Sequence, residues 1–488
     1  MSQPSMSPLS ALNYIDGQWQ GAVGGGVATS RNPADGSVIG SLAAGGLADA
    51  RAAIASARHA FDTSLWPHDA RLRQNVLLQW AERLEKRHEL AALLTQENGK
   101  VMAQSRGEMA AAISEIRYYA GMARHMPGHF TEVEPGAYSA TLREAAGVAG
   151  LIIPWNAPVV LLIRSLAPAL AAGCSVVVKP AHQTAQITAQ VLRELAAVET
   201  LPRGVVNLVL ETGSEAAQEL VASEDVDVLS FTGSNGTGQR IMAAAAPTMK
   251  KLSLELGGKS CCLVFPDADI GATAQRIAAA ATVISGQQCT AARRVLVHAA
   301  RYDEMKHALK HALGSIVVAP GDTPGAGMGP LIDAQALEQV AGAAERAFDI
   351  CDEVVLQGGR PGGRLANGHF LTPTLVAHQD SGAFFVQDEI FGPFVVLERF
   401  EDEKDAVARA NHTVFGLSAS VWTQDGDRGM RVARALRNGT VWINDHNRLF
   451  AEAETGGYRR SGVGRLHGYE GLNDFLETKH IYRSVGLV

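Results

Sequence analysis

The pattern of apolar residues changes near residue 146 of this 488-residue chain. Upstream, apolar residues recur at spacings of three and four, which predicts amphipathic helices over 47–61, 71–97 and 107–126. Residues 129–147 then alternate in an extended pattern around a Pro-Gly pair, which predicts a β-hairpin. The first part of the chain is therefore expected to be helical and to end in a two-stranded extension.

Downstream of residue 146, short runs of Val, Leu and Ile alternate with helical patterns. The apolar runs are continuous, which is typical of parallel strands whose two faces are both covered by helices. One such series spans 147–256, and a second begins after Gly258. The segment 478–485 has the pattern of a terminal strand that could pair with another subunit. The pattern thus predicts an α/β protein with more than one domain.

Composition narrows the function classes. The formal net charge is −7 and no basic run occurs, so a general nucleic-acid binder is not expected. The most apolar region, 147–174, is broken by three prolines and by Arg164, so no membrane span is expected, and the N-terminus lacks the pattern of a signal peptide. The five cysteines form no CxxC spacing, and no metal-ligand cluster occurs. We therefore expect a cytoplasmic protein without disulfides or a metal site.

A glycine-rich turn, TGSNGTG at 232–238, lies between a predicted strand and a helical pattern. Its glycines, Gly233, Gly236 and Gly238, lack the GxGxxG spacing of the usual dinucleotide fingerprint. The order strand, turn, helix still presents backbone N–H groups and a helix N-terminus to a phosphate. Lys179 lies at the C-terminal end of another predicted strand, where open α/β sheets bind ligands. The alternatives are a plain turn and a solvated lysine.

Cys289 lies in SGQQCTAARR, a polar setting that is unusual for a buried structural cysteine. A nucleophilic thiol needs a lowered pKa, a base, and donors for the oxyanion that forms on a carbonyl substrate. Glu255 in LELGGK could supply the base, and Asn156 in PWNAP and the Cys289 N–H could supply the donors. The alternatives are a loop thiol, a surface carboxylate and a helix cap.

Nine segments, taken in order, resemble the NAD(P)-dependent aldehyde dehydrogenase superfamily over nearly the full length of the chain. The separation of 34 residues between Glu255 and Cys289 also resembles that of the family. No single segment is specific, but the ordered set is. The segments are PWNAP (154–158), VVVKP (176–180), FTGSNGTG (231–238), LELGGK (254–259), GQQCTAARR (286–294), DEIFGPF (388–394), NHTVFGLSASVW (411–422), GTVWIN (439–444) and GGYRRSGVGR (456–465).

The resemblance implies a Rossmann-type dinucleotide-binding domain over 1–125 and 146–256 and an α/β catalytic domain over 257–460. It implies a small β oligomerisation arm over 126–145 and 470–488. It further implies NAD or NADP as the coenzyme, an aldehyde as the substrate, and a homodimer or homotetramer as the assembly.

The resemblance also implies roles for single residues. Cys289 resembles the nucleophile that forms a thiohemiacetal and then a thioester, Asn156 resembles the oxyanion donor, and Glu255 resembles the base that activates the deacylating water. Lys179 resembles the residue that binds the adenosine ribose, and Glu389 resembles the ligand of the nicotinamide ribose. The full coenzyme-binding set comprises Trp155, Lys179, His182, Gly233, Ser234, Gly238, Glu389 and Phe391.

Departures from the family concern the coenzyme and the substrate tunnel. His182 replaces the usual glutamate three residues after the lysine, so we predict use of NADP as well as NAD. Ala157, Arg164 and Thr455 replace aromatic residues that are common in the family, and we predict that they bind the substrate. An aromatic, unsaturated or oxygen-bearing aldehyde is favoured, because a guanidinium stacks on rings and donates to oxygen atoms. The alternative for Arg164 is a structural ion pair.

Two other functions compete with water-dependent aldehyde oxidation. A CoA-acylating relative would pass the thioester to CoA, but such enzymes typically lack the base that Glu255 resembles. A catalytically silent structural or binding relative of the same fold would not need Cys289, Glu255 and Asn156 together. Stimulation by CoA tests the first alternative, and one turnover assay with NAD tests the second.

Overall fold

The structure is a computed structural model, and it describes residues 9–486. Residues 1–8, which begin the N-terminus considered for a signal peptide, and residues 487–488 of the predicted arm lie outside the described residues. The helices are α1 Leu47–Thr63, α2 Ala70–Glu85, α3 Leu90–Asn98, α4 Met102–Met122, α5 Pro158–Ala172, α6 Ala185–Ala196, α7 Glu215–Ala222, α8 Asn235–Ala245, α9 Ile270–Thr282, α10 Tyr302–Gly314, α11 Ala334–Phe348, α12 Phe384–Gln387, α13 Glu403–Asn411, α14 Gly426–Ala435 and α15 Gly468–Asn473.

The strands belong to four sheets. They are β1 Leu9–Ala11, β2 Asn13–Ile15, β3 Gln18–Gln20, β4 Val27–Arg31, β5 Val38–Ala43, β6 His129–Glu134, β7 Ala137–Ala145, β8 Val148–Ile153, β9 Ser175–Pro180, β10 Val206–Leu208, β11 Val228–Thr232, β12 Lys251–Glu255, β13 Cys261–Val264, β14 Arg294–His298, β15 Glu353–Leu356, β16 Thr374–Ala377, β17 Phe394–Phe400, β18 Ser418–Trp422, β19 Thr440–Ile443, β20 Gly462–Val463 and β21 Leu476–Ser484.

The first large sheet has the strand order β20-β12-β11-β8-β9-β10-β2-β3, and its five consecutive strands from β12 to β10 are parallel. Successive strand residues face opposite helix layers. Leu151 and Val178 pack with residues of α2, α4, α5 and α6, whereas Ile152 and Val177 pack with residues of α1, α7 and α8. Because these five strands are parallel, their C-terminal ends lie at one edge of the sheet, which is where open α/β sheets bind ligands.

The second large sheet has the order β15-β16-β17-β14-β13-β18-β19 and is parallel except for β15. Val295 packs with residues of α9 and α10 on one face, and the next residue, Leu296, packs with residues of α13 and α14 on the other. Helices cover both faces, as the continuous apolar runs predict. A small sheet of β1, β5 and β4 adjoins the first large sheet.

The fourth sheet has the order β21-β7-β6, with largely exposed side chains on β6 and β21 and partly buried ones on the central strand β7. The predicted hairpin is present as β6 and β7. The terminal strand β21 pairs antiparallel through all nine of its residues with β7 of the same chain, and as an edge strand of this sheet it keeps its other edge for the predicted contact with another subunit. Main-chain pairing within one chain closes that edge of β7.

Other differences from the predicted elements have simple physical reasons. The helical pattern over 71–97 is two helices, because the chain turns at Lys86 between α2 and α3. Strands β1 to β5 are three to six residues long, which is too short for a clear alternation. Within residues 9–486, none of the helices combines the length and the apolar character that crossing a bilayer requires.

Candidate active site

Cys289 is held on a sharply turned loop after α9. Ile284 and Ser285 have left-handed φ angles of 50° and 55°, a conformation that costs energy for residues with a β-carbon. Ser285 Oγ donates to the Gly329 carbonyl at 2.8 Å and stabilises this turn. Gly286 follows, and a β-carbon there would lie 2.3 Å from the Gly392 carbonyl group. The turns at Gly286 and Gly392 are therefore in backbone contact near Cys289, and this contact leaves no room for a side chain at position 286.

Side chains from distant parts of the chain hold the carbonyl groups of the Cys289 loop. Asn156 Nδ2 donates to the Gln287 carbonyl at 3.0 Å. Arg293 donates to the carbonyls on both sides of it, those of Gly286 and Gln288. His446 Nε2 lies 2.7 Å from the Thr290 carbonyl, so this nitrogen carries the proton. Burial lowers the pKa of His446 to about 4, which keeps the ring neutral at physiological pH.

Asn156 follows β8, and its backbone is fixed by a buried ion pair that the sequence analysis did not identify. Lys100 Nζ pairs with Glu108 and donates to the Asn156 carbonyl at 2.9 Å. Glu108 also accepts the Val159 N–H at 2.8 Å, so this carboxylate caps α5. Asn156 is therefore not the helix cap that was considered as an alternative. One amide N–H of its Nδ2 contacts the Cys289 loop, which leaves a second one for another acceptor.

A cavity of about 320 Å³ brings together residues from both large sheets. It includes the three residues predicted to be catalytic and five of the eight predicted to bind the coenzyme. Lys179, His182 and Gly238 do not line it, and neither do the predicted substrate residues Ala157, Arg164 and Thr455. The lining residues are Pro154, Trp155, Asn156, Thr232, Gly233, Ser234, Glu255, Leu256, Gly257, Cys289, Glu389 and Phe391.

Glu255 ends β12 with its side chain largely buried. Its Oε1 atom has no hydrogen-bond partner in the part of the chain that the structure describes. Burial raises the pKa of Glu255 to about 8, although Arg164 and Arg465 oppose the shift. A carboxylate with this pKa and a free oxygen can accept a proton from water near neutral pH.

The Cys289 thiol has a raised pKa, in contrast to the lowered value expected from its sequence. Burial is the largest cause, and the carboxylates of Glu389 and Glu255 also act in this direction, which brings the pKa to about 11. Arg164 lowers it. The thiol form therefore predominates at neutral pH. Glu255, in the fraction that is ionised, is the nearby base in the same cavity, and this fraction grows as the pH rises towards 8.

The glycine-rich turn connects β11 to α8, as predicted. Ser234 is the N-cap of α8, and its side chain accepts the Thr237 N–H. A β-carbon at Gly233 would lie 2.4 Å from the Phe231 ring, and one at Gly238 would lie 2.6 Å from Leu256. At Gly236 a β-carbon would meet nothing within 4 Å. The helix thus begins at open space with unpaired N–H groups, which suits the pyrophosphate of a dinucleotide.

Lys179 and His182 lie along the same edge of the first sheet. Lys179 Nζ is 3.4 Å from Glu211 Oε1, so the lysine is neither solvated nor free of a partner. His182 begins a short 3₁₀ turn after β9 and is exposed. Partial desolvation of the ring and the Lys179 charge lower the pKa of His182, so the imidazole is neutral at physiological pH and carries no negative charge that would repel a phosphate.

Glu389 and Phe391 follow α12 and close the other side of the cavity. Glu389 Oε1 accepts the Gly258 N–H at 3.2 Å, and a β-carbon at Gly257 would lie 2.2 Å from Glu389 Oε2. The Phe391 ring meets the Trp155 ring edge to face, with 5.7 Å between their centroids. These residues form a wall with one carboxylate and two rings, which fits a ribose and a flat heterocycle.

Arg164 lies on α5, half-buried, two turns from Asn156. Its Nε is buried without a hydrogen-bond partner, and no carboxylate lies within 4 Å of the guanidinium in residues 9–486. The structural ion pair that was considered is therefore not present there. The Arg164 charge lowers the pKa values of both Glu255 and Cys289, so it lies close to the reacting groups. Thr455 is bridged to Leu466 by two backbone hydrogen bonds, and a β-carbon at the next residue, Gly456, would lie 3.0 Å from Glu255 Oε1.

Among the residues that the structure describes, no group of three or more His, Cys, Asp or Glu side chains could hold a metal ion. The polar side chains of the cavity include the Cys289 thiol, two carboxylates, the Asn156 amide and the hydroxyl groups of Thr232 and Ser234. The fold and the cavity together have the features of a dinucleotide-dependent α/β oxidoreductase with a thiol at its centre.

Comparison with known proteins gives the same class. The model of the aldehyde dehydrogenase family matches residues 19–481. The chain is 38% identical over 480 residues to the betaine aldehyde dehydrogenase of Bacillus subtilis (strain 168), with 98% of each chain covered. It is 36% identical over 479 residues to a glutarate-semialdehyde dehydrogenase of Pseudomonas putida, with 97% of each chain covered.

A crystal structure of betaine aldehyde dehydrogenase from Staphylococcus aureus in complex with NAD+ matches with a TM-score of 0.95 at 34% identity. The match covers 98% of this chain and 96% of that one. The chain belongs to the aldehyde dehydrogenase family. It is an NAD(P)-dependent aldehyde dehydrogenase, so the predicted fold class, reaction class and coenzyme class are confirmed.

Proposed function

We propose that Cys289, Asn156 and Glu255 carry out the oxidation of an aldehyde to its carboxylic acid. The observation that carries this assignment is their convergence on one cavity from three separate strand ends and loops. Glu255 accepts the thiol proton, directly or through water, and the Cys289 sulfur forms a bond to the aldehyde carbon. Asn156 Nδ2 and the Cys289 N–H donate to the oxygen atom, which gains negative charge as the C=O bond opens.

Bound NAD(P)+ supplies the acceptor for the hydride that leaves the aldehyde carbon. The carbonyl bond then re-forms, and Cys289 holds the acyl group as a thioester. Glu255 releases the first proton to solvent and then takes a proton from water as the water oxygen attacks this thioester. The C–S bond breaks, the thiolate recovers a proton, and the carboxylic acid leaves.

Two variants test the proposed chemistry. Cys289→Ala should abolish oxidation while NAD binding remains, because the nucleophile is lost and the coenzyme cleft is not. Glu255→Gln should release a burst of NADH followed by slow turnover, because acylation outpaces deacylation. Substantial dehydrogenase activity in Cys289→Ala would overturn the assignment. If CoA stimulates only Glu255→Gln, water remains the acceptor of the acyl group in the native enzyme. Strong stimulation of the wild type by CoA would favour the CoA-acylating alternative.

We propose that the coenzyme lies along the edge from Lys179 to Phe391. The N-terminus of α8, with Gly233, Ser234 and Gly238, holds the pyrophosphate, and Lys179 binds the adenosine ribose. Glu389 binds the nicotinamide ribose, while Trp155 and Phe391 pack beside the nicotinamide. Support comes from the open first turn of α8 and from the absence of side-chain space at Gly233 and Gly238.

We further propose that both coenzymes are used. Glutamate at position 182 would repel a 2′-phosphate, but an exposed, neutral His182 does not. Lys179, which carries an ammonium group three residues before His182, also supports the use of NADP. The ratio of kcat/KM for NAD to that for NADP measures this preference.

For the substrate, we propose an aldehyde that bears an aromatic ring or a further oxygen function. The half-buried Arg164, with its unpartnered Nε, is the feature that favours this class. Ala157 leaves space beside it, and Thr455 adds a hydroxyl group to the same region. The relative named for glutarate semialdehyde is consistent with this class, because that aldehyde bears a carboxylate to which a guanidinium can donate.

The predicted domain limits and assembly are proposals as well. The first large sheet corresponds to the coenzyme domain over 1–125 and 146–256, with β20 as an addition from the tail, and the second sheet corresponds to the catalytic domain over 257–460. We propose that the exposed sheet β21-β7-β6 forms the arm through which a homodimer or homotetramer assembles in the cytoplasm. Its two edge strands, β6 and β21, each have one edge that can pair in such contacts.

A further inference from the structure

Arg293 lies between two loops that carry different parts of the site. The first loop, 285–290, carries Cys289, and the second, 388–393, carries Glu389 and Phe391. Arg293 is completely buried. Its Nη1 donates to the Gly392 carbonyl at 2.6 Å in the second loop. Its Nη2 donates to the Gly286 and Gln288 carbonyls in the first loop, the latter at 3.1 Å.

The guanidinium of Arg293 is a buried charge that interacts with the Glu389 carboxylate at longer range but forms no direct ion pair among the described residues. No salt bridge joins it to an acid in residues 9–486, and its Nε has no hydrogen-bond partner there. The next residue, Arg294, is equally buried but pairs with Glu398 through two hydrogen bonds. A buried cation held by carbonyl groups is costly, and Arg73 is a second example in the described residues; what distinguishes Arg293 is that its carbonyl partners lie on both loops of the site.

The two loops that Arg293 joins are already in contact. A β-carbon at Gly286 would lie 2.3 Å from the Gly392 carbonyl group, so the backbones meet without intervening side chains. The Arg293 guanidinium also lies 5.6 Å from the centroid of the Phe391 ring. One side chain thus contacts the backbone on the nucleophile side and both the backbone and the ring on the coenzyme side.

We propose that Arg293 is a positioning residue that locks the Cys289 loop to the Glu389–Phe391 loop, so that the thiol and the coenzyme are held in register for hydride transfer. The proposal rests on the function proposed above. With Nη2 on the carbonyls at 286 and 288 and Asn156 on the carbonyl at 287, three successive peptide groups have fixed orientations. The Cys289 N–H then points in one direction, as an oxyanion donor must.

The test compares Arg293→Met and Arg293→Lys with Arg73→Met. Arg73 is a matched control, because it is also buried and donates to three backbone carbonyls, those of Ala171, Trp66 and Pro67, far from the cavity. For each variant we would measure the melting temperature, the rate constant of the first NADH turnover, and the Kd for NAD.

Arg293→Met should slow the first turnover at least thirtyfold and raise the Kd for NAD several-fold, because both loops lose their common anchor. Arg293→Lys should recover part of the turnover rate, since an ammonium can still donate to carbonyls in both loops. Arg73→Met should lower the melting temperature but leave the first turnover within about twofold of the wild type.

Equal turnover rates and NAD affinities in wild type and Arg293→Met would overturn the proposal. So would an equal loss of first-turnover rate in Arg73→Met, which would reduce the effect to general destabilisation. If Arg293→Met does not fold, Arg293→Lys decides, and an unchanged first turnover in that variant contradicts the proposal. Failure of the proposed chemistry is separate, because it would appear as activity in Cys289→Ala.

Discussion

Glu398 in the second sheet and Glu255 in the first are both buried carboxylates on strands, but their hydrogen-bond partners differ. Arg294 donates to the two oxygens of Glu398 at 2.6 and 2.7 Å. Glu255 has an oxygen without a partner in the described residues, and burial raises its pKa to about 8. The comparison shows that the buried carboxylate inside the second sheet has a direct ion-pair partner, whereas the one at the cavity has none among the described residues and keeps a raised pKa.

The largest effect is expected from breaking the paired carboxylate. Glu398→Gln leaves the Arg294 guanidinium buried and without its counter-charge, which should lower the free energy of unfolding by about 3–5 kcal/mol. The double variant Arg294→Met with Glu398→Leu should recover much of this loss, because an apolar pair needs no counter-charge. Denaturant unfolding measures both. If the single variant were as stable as the wild type, the pair would not support the sheet.

The opposite effect on stability is expected at Glu255. Its pKa in the folded protein is above the ordinary value of 4.5, so the folded state holds a proton that the unfolded chain releases. This group's favourable contribution is complete below pH 4.5 and is lost as the pH rises towards 8. Glu255→Gln should therefore become more stable than the wild type as the pH rises, by on the order of 3 kcal/mol above pH 8. Parallel stability curves for the two proteins would contradict the raised pKa.

A smaller effect, about tenfold or 1.4 kcal/mol, is expected from Arg164. Arg164→Met should lower kcat/KM for aromatic or oxygen-bearing aldehydes by this amount and should change kcat/KM for simple aliphatic aldehydes much less. It should also slow alkylation of Cys289 by iodoacetamide, because the guanidinium lowers the pKa of the thiol. Arg164→Lys keeps the charge and should preserve the alkylation rate. An equal loss for all aldehydes would remove Arg164 from substrate selection.

The smallest effect concerns the coenzyme. His182→Glu places a negative charge near the site proposed for the adenosine ribose and should shift the kcat/KM ratio towards NAD by a few-fold to tenfold. His182→Gln, which adds no charge, should leave the ratio nearly unchanged. If the wild type already preferred NAD a thousandfold, residues other than His182 would exclude the 2′-phosphate.

The sequence predicted the residues of the site better than it predicted the contacts that surround them. Cys289, Glu255 and Asn156 lie at strand ends and turns that short patterns reveal, and the structure brings them to one cavity. Glu108 and Arg293 could not be found in this way. Glu108 caps a helix 51 residues further along the chain, and Arg293 binds a carbonyl 99 residues away, so no local pattern records either contact.

Two further features escaped prediction because they depend on three-dimensional packing. The Cys289 pKa is raised by burial beside two carboxylates, which the polar sequence around the residue does not disclose. Strand β20, with only Gly462 and Val463, pairs with β12 and brings the tail of the chain to the strand that carries Glu255. A two-residue strand has no periodicity from which it could be predicted.

The central claim is that the uncompensated carboxylate of Glu255 activates water for deacylation. The most direct test is the rate of acyl-enzyme hydrolysis, followed after a single turnover, as a function of pH in wild type and Glu255→Gln. The wild-type rate should rise with pH and level off above about 8, where Glu255 is ionised. Glu255→Gln should be at least a hundredfold slower at pH 8 and should lack this transition. The same profile in both proteins would contradict the account.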